Sequence, residues 1–113
     1  MGLTRAPDRG DFIYLDFDPR TGHEQAGRRP ALVLSDYVYH SRAGLAVVCP
    51  VTSKVKGYPF EVTIPSGAAV SGVVLADQVK SLDFVARRAT IVGRAPDEVV
   101  DKVAQMVRAI LGL

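Results

Sequence analysis

The chain has 113 residues, of which 48% are hydrophobic and 23% charged, the proportions of one folded domain spanning residues 1–113 and not of a disordered chain. Ten glycines and seven prolines favour many short strands and turns over a helical bundle. The formal net charge of +2 is too small to name a partner by itself.

Other classes fall away on simple grounds. The longest apolar run, residues 45–51, is far too short to span a membrane. The polar opening MGLTRAPDRGD has no apolar signal-peptide core, so a cytoplasmic location is expected. The single cysteine, Cys49, excludes an internal disulfide and reads as a buried core thiol.

In chain order, residues 12–17 (FIYLDF) predict a strand with Ile13, Leu15 and Phe17 on one face and Phe12, Tyr14 and Asp16 on the other. A loop follows over residues 20–27. Residues 31–35 and 45–51 are consecutively apolar, as in strands buried on both faces. Between them, residues 36–44 form a helical turn or a hairpin-type connection. Further short strands are expected over residues 60–64, 73–76, 78–82 and 89–92.

A C-terminal helix is predicted to start with Pro96 in its first position and Asp97 and Glu98 at the positive end of its dipole. Val99, Val103, Met106 and Ile110 then form one apolar stripe facing the sheet, and Gly112 stops the helix. The predicted architecture is mainly β: a bent antiparallel sheet or barrel of five to seven strands, closed by one helix.

Familiar catalytic patterns are missing. His23, His40 and Cys49 show no metal-ligand spacing, no phosphate-binding glycine loop or GxSxG elbow occurs, and the acids are scattered. No metal and no cofactor are therefore expected.

What remains is polar chemistry beside strand ends. His23-Glu24-Gln25 leads into Arg28-Arg29-Pro30, where the proline holds Arg29 at the rigid mouth of a strand. Thr52 and Ser53 directly follow another strand. A guanidinium forks onto a phosphate while a hydroxyl donates to a second oxygen, the requirements of metal-free phosphoryl chemistry. The same residues also read as a Glu24–arginine ion pair and a Thr52 turn cap. Charge leaves a similar choice. Residues 20–56 carry Arg20, Arg28, Arg29, Arg42, Lys54 and Lys56 against Glu24 and Asp36, either a track for a phosphate backbone or an ordinary solvated surface.

Four ordered motifs narrow the reading. Gly10-Asp11 precedes a strand ending Asp16-Phe17-Asp18-Pro19. Glu24-Gln25-Ala26-Gly27-Arg28-Arg29-Pro30-Ala31 follows, then Lys56-Gly57-Tyr58-Pro59-Phe60-Glu61-Val62, then Leu75-Ala76-Asp77-Gln78-Val79-Lys80-Ser81. Together they resemble the MazF-type toxins of the MazF/Kid/CcdB group, from about Gly10 to the last helix. The resemblance implies an SH3-like barrel, a homodimer, and a toxin that cuts single-stranded mRNA at a short sequence without a metal. It also implies a cognate antitoxin, expected to cover the basic groove with a disordered acidic tail.

On the family pattern Arg29 and Thr52 map onto the catalytic pair and Glu24 onto the acidic residue beside them. Arginine is a poor proton acceptor, so Arg29 is assigned to charge stabilisation, and Glu24 or His23 to taking the 2′-hydroxyl proton. Phe17, His23, Gln25, Arg28, Ser53, Lys56, Gln78 and Lys80 are the candidate substrate-binding residues. Phe17 and Tyr58 either stack on bases or belong to the core. Arg87-Arg88 reads as a solvated turn and His40 as a surface residue. Two alternatives use the same barrel: a gyrase-poisoning toxin of the CcdB kind, whose tryptophan-containing tail this chain lacks, and a barrel that only binds protein or nucleic acid.

Overall fold

The computed structural model describes residues 5–17 and 27–113. Strand β1, Asp11–Asp16, alternates as its sequence predicts. Ile13 and Leu15, with Phe17 just beyond, enter one apolar cluster, while Phe12 enters a second on the opposite face. β1 pairs antiparallel with β2, Arg28–Val33, so that Leu15 lies across from Arg29 and Asp16 from Arg28. β2 starts three residues earlier than predicted, because Arg28, Arg29 and Pro30 continue the ladder with β1.

A seven-residue helix, α1 (Tyr37–Ala43), follows and ends on Gly44 at φ +73°, the left-handed position that suits glycine. β3, Leu45–Thr52, is the longest strand. One of its edges pairs with β2. The other is shared by β6, Lys80–Asp83, along its first half and by β5, Val73–Leu75, at its end. β4, Glu61–Thr63, pairs with β5, and β7, Thr90–Arg94, pairs with β1. These seven antiparallel strands run in the order β4-β5-β3-β2-β1-β7, with β6 also on β3.

The strand predicted over 78–82 starts two residues later, at Lys80. The β4–β5 ladder ends at Leu75, where the Ala76 amide donates to the Phe60 carbonyl at 3.0 Å. A 3-10 turn over Ala76–Gln78 then precedes β6.

Helix α2, Asp97–Leu111, covers the first cluster with Val99, Val100 and Val103 fully buried. Two details differ from the sequence reading. Pro96 is the capping residue at ψ +140°, one place before the helix, and Ile110 is 42% exposed. Met106 and Val107 are the last helix residues packed on the first cluster, and the final turn lies beyond it. The second cluster, which includes Ala31, Val33, Val48, Leu82 and Phe84, lies on the other face. Cys49 is buried in the first cluster, and burial, with the nearby Asp77 charge, pushes its thiol up to about 12. It stays protonated and unreactive.

His40 is a correction. It is fully buried, not superficial, because it is the inward residue of α1. Its Nδ1 lies 2.6 Å from the Pro7 carbonyl and its Nε2 2.5 Å from the Ser35 hydroxyl, which itself accepts the Val47 amide. Since Nδ1 must donate to a carbonyl, Nε2 accepts from the serine, and every polar atom of the group is used. His40 thus pins the N-terminal segment to α1 and β3.

Asp11 pins the same segment from the other side. Its fully buried carboxylate accepts from Arg5 Nη1 (2.9 Å), Arg94 Nη1 (3.0 Å) and the Asp8 amide (2.7 Å). Burial pushes this carboxyl upward, but the hydrogen bonds from Arg5, Asp8 and Arg94 outweigh it and hold it below the ordinary range. A depressed carboxyl contributes stability above its unfolded value of ~3.9, and that contribution is lost as pH falls through the lower folded value. Asp11→Asn should therefore lower neutral-pH stability by roughly 1–3 kcal/mol. In denaturant titrations the gap to wild type should close in the acid window below pH ~4, and a gap that persists unchanged there would contradict this account.

Gly72 supplies the second test. It sits at φ +115° with the Thr52 carbonyl so close that an added Cβ would overlap it. Gly72→Ala should cost about 2 kcal/mol or more, seen as a fall in Tm of roughly 8 °C. An unchanged Tm would show that β5 yields without disturbing Thr52.

Candidate active site

Of the polar residues singled out from sequence, Arg29 and Thr52 lie at one end of the sheet, and strand register shows why. The hydrogen-bonded ladder between β2 and β3 ends at Ala31–Pro50. Carried two residues further at the same register, it sets Arg29 across from Thr52. Opposed residues of an antiparallel pair share a face, and Ala31 and Val48 place that face on the side of the second apolar cluster. Leu15, across from Arg29, belongs to it as well. Arg29 and Thr52 thus end two adjacent strands on one face.

Thr52 is held firmly. It is 5% exposed, its hydroxyl accepts the Lys54 amide at 3.1 Å, and Gly72 packs on its carbonyl. The turn-capping role foreseen for it is real, and it leaves the hydroxyl hydrogen available as a donor. Arg29 is half-buried. Lys80, paired with Val48 on the same face, carries its ammonium 5.9 Å from the centre of the Phe17 ring. Gln78 is half-buried at the end of the 3-10 turn that leads to it.

Phe17 corrects one expectation. Only 2% of it is exposed, because the β1 alternation carries it into the cluster of Ile13 and Leu15. It supports the site from beneath and presents no ring face to a base.

Arg28 is turned the other way. One residue from Arg29, it points to the opposite face, where its Nη1 reaches Asp16 Oδ1 (3.3 Å) and its Nη2 the Arg88 carbonyl (2.8 Å). Arg88 Nε binds the other oxygen of Asp16 at 2.9 Å. The hydrogen bond from Arg88, joined by that from Arg28, holds the Asp16 carboxyl below its usual range. Arg87 Nη1 donates to the Asp16 carbonyl at 3.1 Å. The Arg87-Arg88 turn is therefore tied to β1 instead of being merely solvated, and Arg88 takes φ +56° to make the connection.

Beyond Thr52, residues 53–60 are all exposed, yet their path is anchored. Both oxygens of Glu61 cap the loop, one accepting the Lys56 amide (3.1 Å) and the other the Gly57 amide (2.9 Å). Ser53 and Lys56 lie on this loop, with the Lys56 ammonium 5.7 Å from the centre of the Tyr58 ring. Tyr58 is 60% exposed, so of the two aromatics weighed for stacking it is the one that faces solvent.

Glu24, His23 and Gln25 lie outside the described residues. Among the described residues no group of three His, Cys, Asp or Glu side chains stands together as a metal site. No helix among them is long and apolar enough to cross a membrane. Asp16 and Glu61 stand inside the sequence motifs without a role, and Gly72 is not singled out at all. Their partners come from residues 28, 52, 56, 57 and 88, and no local pattern in the chain announces those contacts.

Comparisons with known proteins agree with this geometry. The family described as "PemK-like, MazF-like toxin of type II toxin-antitoxin system" matches residues 8–111. The endoribonuclease toxin MazF of Escherichia coli strain K12 is 46% identical over 106 residues, covering 94% of this chain and 95% of that protein. The endoribonuclease toxin ChpB of the same strain is 38% identical over 110 residues, covering 92% and 93%. Among solved structures, MazF from Deinococcus radiodurans superposes with a TM-score of 0.92 at 52% identity, covering 96% of this chain and 98% of that one. A MazE–MazF structure from that organism gives 0.87 at 52% identity, covering 96% and 97%. With the family matched over residues 8–111 and relatives matched over more than nine-tenths of the chain, the chain belongs to the PemK-like, MazF-like toxin family of type II toxin–antitoxin systems.

Proposed function

We propose that the chain is a metal-independent, sequence-specific endoribonuclease, the toxin of a type II pair, acting on single-stranded mRNA in the cytoplasm. The observation that carries this reading is the register that ends β2 and β3 with Arg29 and Thr52 on one face, in a chain 46% identical to an endoribonuclease over almost its full length. All 113 residues form one toxin domain, and it works as a homodimer with the RNA in a groove between subunits.

In the reaction the ribose 2′-hydroxyl attacks the adjacent phosphorus and loses its proton to Glu24. The bond from phosphorus to the 5′-oxygen breaks and that oxygen takes a proton from the Arg29 guanidinium, which is reprotonated from solvent, leaving a 2′,3′-cyclic phosphate and a 5′-hydroxyl. Arg29 forks onto the charge that develops on the phosphorane oxygens, and the Thr52 hydroxyl donates to the same centre. Ser53, Lys56, Gln78 and Lys80 contact the flanking nucleotides, as do His23 and Gln25. MazF homologues have been crystallised with MazE, and this chain is expected to bind its own antitoxin through an extended acidic segment laid over the basic groove.

Cleavage of an RNA oligonucleotide should persist in excess EDTA and fail on the all-deoxy analogue, because the nucleophile belongs to the substrate. Activity lost on chelation and restored by magnesium would overturn the mechanism. Arg29→Ala should lower kcat by about 10²–10³, and Arg29→Lys should restore it only in part, since an ammonium lacks the planar fork. RNA affinity should change far less.

The base is identified by pH dependence. Glu24→Gln should slow single-turnover cleavage strongly, while His23→Ala leaves the acidic limb of the rate profile in place. An acidic limb near ~6.5 that disappears in His23→Ala would assign the base to His23 instead.

A further inference from the structure

The far side of the sheet from Arg29 and Thr52 carries a cluster that the reaction does not use. Asp16 closes β1, and three arginines gather on it. Arg28 and Arg88 each take one carboxylate oxygen, at 3.3 and 2.9 Å, and Arg87 takes the carbonyl at 3.1 Å. The backbone joins in: the Asp16 amide donates to the Arg87 carbonyl and the Phe17 amide to the Gly27 carbonyl, both at 2.9 Å. Arg28 Nη2 completes the ring on the Arg88 carbonyl at 2.8 Å.

These contacts bring together Phe17 and Gly27, the described residues on either side of 18–26. They also fix the backbone of Arg28, whose neighbour Arg29 projects from the opposite face. A shift of Arg28 is transmitted to Arg29 through a single peptide unit, and reacting groups misplaced by about 1 Å can cost 10²-fold in rate.

We propose that Asp16 and Arg28 are positioning residues: together they form a clasp that holds Arg29 and the Phe17–Gly27 pair in register for RNA cleavage. Arg28 accordingly serves the site through Asp16 and not by binding phosphate. This inference rests on the ribonuclease reading above. Its chemistry is distinctive, because Arg28 spans two acceptors 72 residues apart in the chain, the Asp16 carboxylate and the Arg88 carbonyl, and only a planar fork reaches both.

The test uses the full-length protein carrying Asp16→Asn, Arg28→Ala, Arg28→Lys and the Asp16→Asn/Arg28→Ala double substitution. Two readouts apply: single-turnover cleavage with RNA affinity at several salt concentrations, and hydrogen exchange at the Asp16 and Phe17 amides. Asp16→Asn should lower the saturating rate about tenfold or more with affinity changed at most about twofold. Arg28→Lys should be impaired like Arg28→Ala, and the double variant should be no worse than the poorer single one, as expected of residues acting as a unit. Exchange at the Phe17 amide should quicken about tenfold in Asp16→Asn.

A phosphate-binding Arg28 gives a different pattern. Arg28→Ala would weaken RNA binding about tenfold, reduce the salt slope by about one, and be rescued by lysine. That pattern, or wild-type rate in Asp16→Asn, overturns the clasp. The exchange arm needs no activity, so it decides the clasp even where the wild-type chain fails to cut RNA. Unchanged exchange in Asp16→Asn refutes it, whereas an inactive wild type refutes the ribonuclease reading.

Discussion

Strand β3 has to be satisfied on four sides at once, and the rest of the fold is arranged around that demand. Its residues 48–52 are all buried, so apolar material must cover both faces, and its backbone groups need partners along both edges. β2 takes one edge, while β5 and β6 divide the other. The faces are covered by two separate apolar clusters, one under α2 and one between β1 and the β6–β7 connection. Because consecutive side chains along β3 point to opposite clusters, its last residue, Thr52, has no freedom in where it points. A hydroxyl placed by a strand of this kind is a preorganised donor, which a hydroxyl on an open loop is not.

The same alternation separates chemistry from support one residue at a time. Arg29 shares a face with Thr52, and Arg28 is turned to the other side to meet Asp16 and the Arg87-Arg88 turn. Phe17 lies beneath the site with Leu15, and Asp16 beside it belongs to the clasp. Paired residues that look equivalent in the chain therefore do opposite work. The exposed ion pairs themselves add little to stability. Their effect is geometric, since three separate stretches of chain are held to one carboxylate.

At the other end of the molecule, buried polar groups do the anchoring. His40 ties Pro7 to α1 and Ser35, and Asp11 gathers Arg5, Asp8 and Arg94. Each buried polar atom in these two groups is satisfied, as the high cost of an unpaired buried polar group requires. The N-terminal segment is thereby made part of the fold, although its own sequence is polar and has no strand pattern.

Much of this was legible in the amino-acid sequence, for a definite reason. The β1 alternation, the doubly buried runs of β2 and β3, the helix opened by Asp97 and Glu98 and closed by Gly112, and the family motifs around Arg29 and Lys56 are all written in residues near one another in the chain. Local periodicity and ordered motifs carry that information directly. Tertiary structure alone decided the burial of His40 and Phe17, the exposure of Ile110, the engagement of Arg28 with Asp16, and the capping of residues 53–60 by Glu61. Each of those depends on which distant segment a side chain meets. For Phe17 and Arg28 the meeting is set by strand register, where a one-residue change would send each side chain to the other face; for His40 and Ile110 it is set by how their helices lie against the rest of the fold.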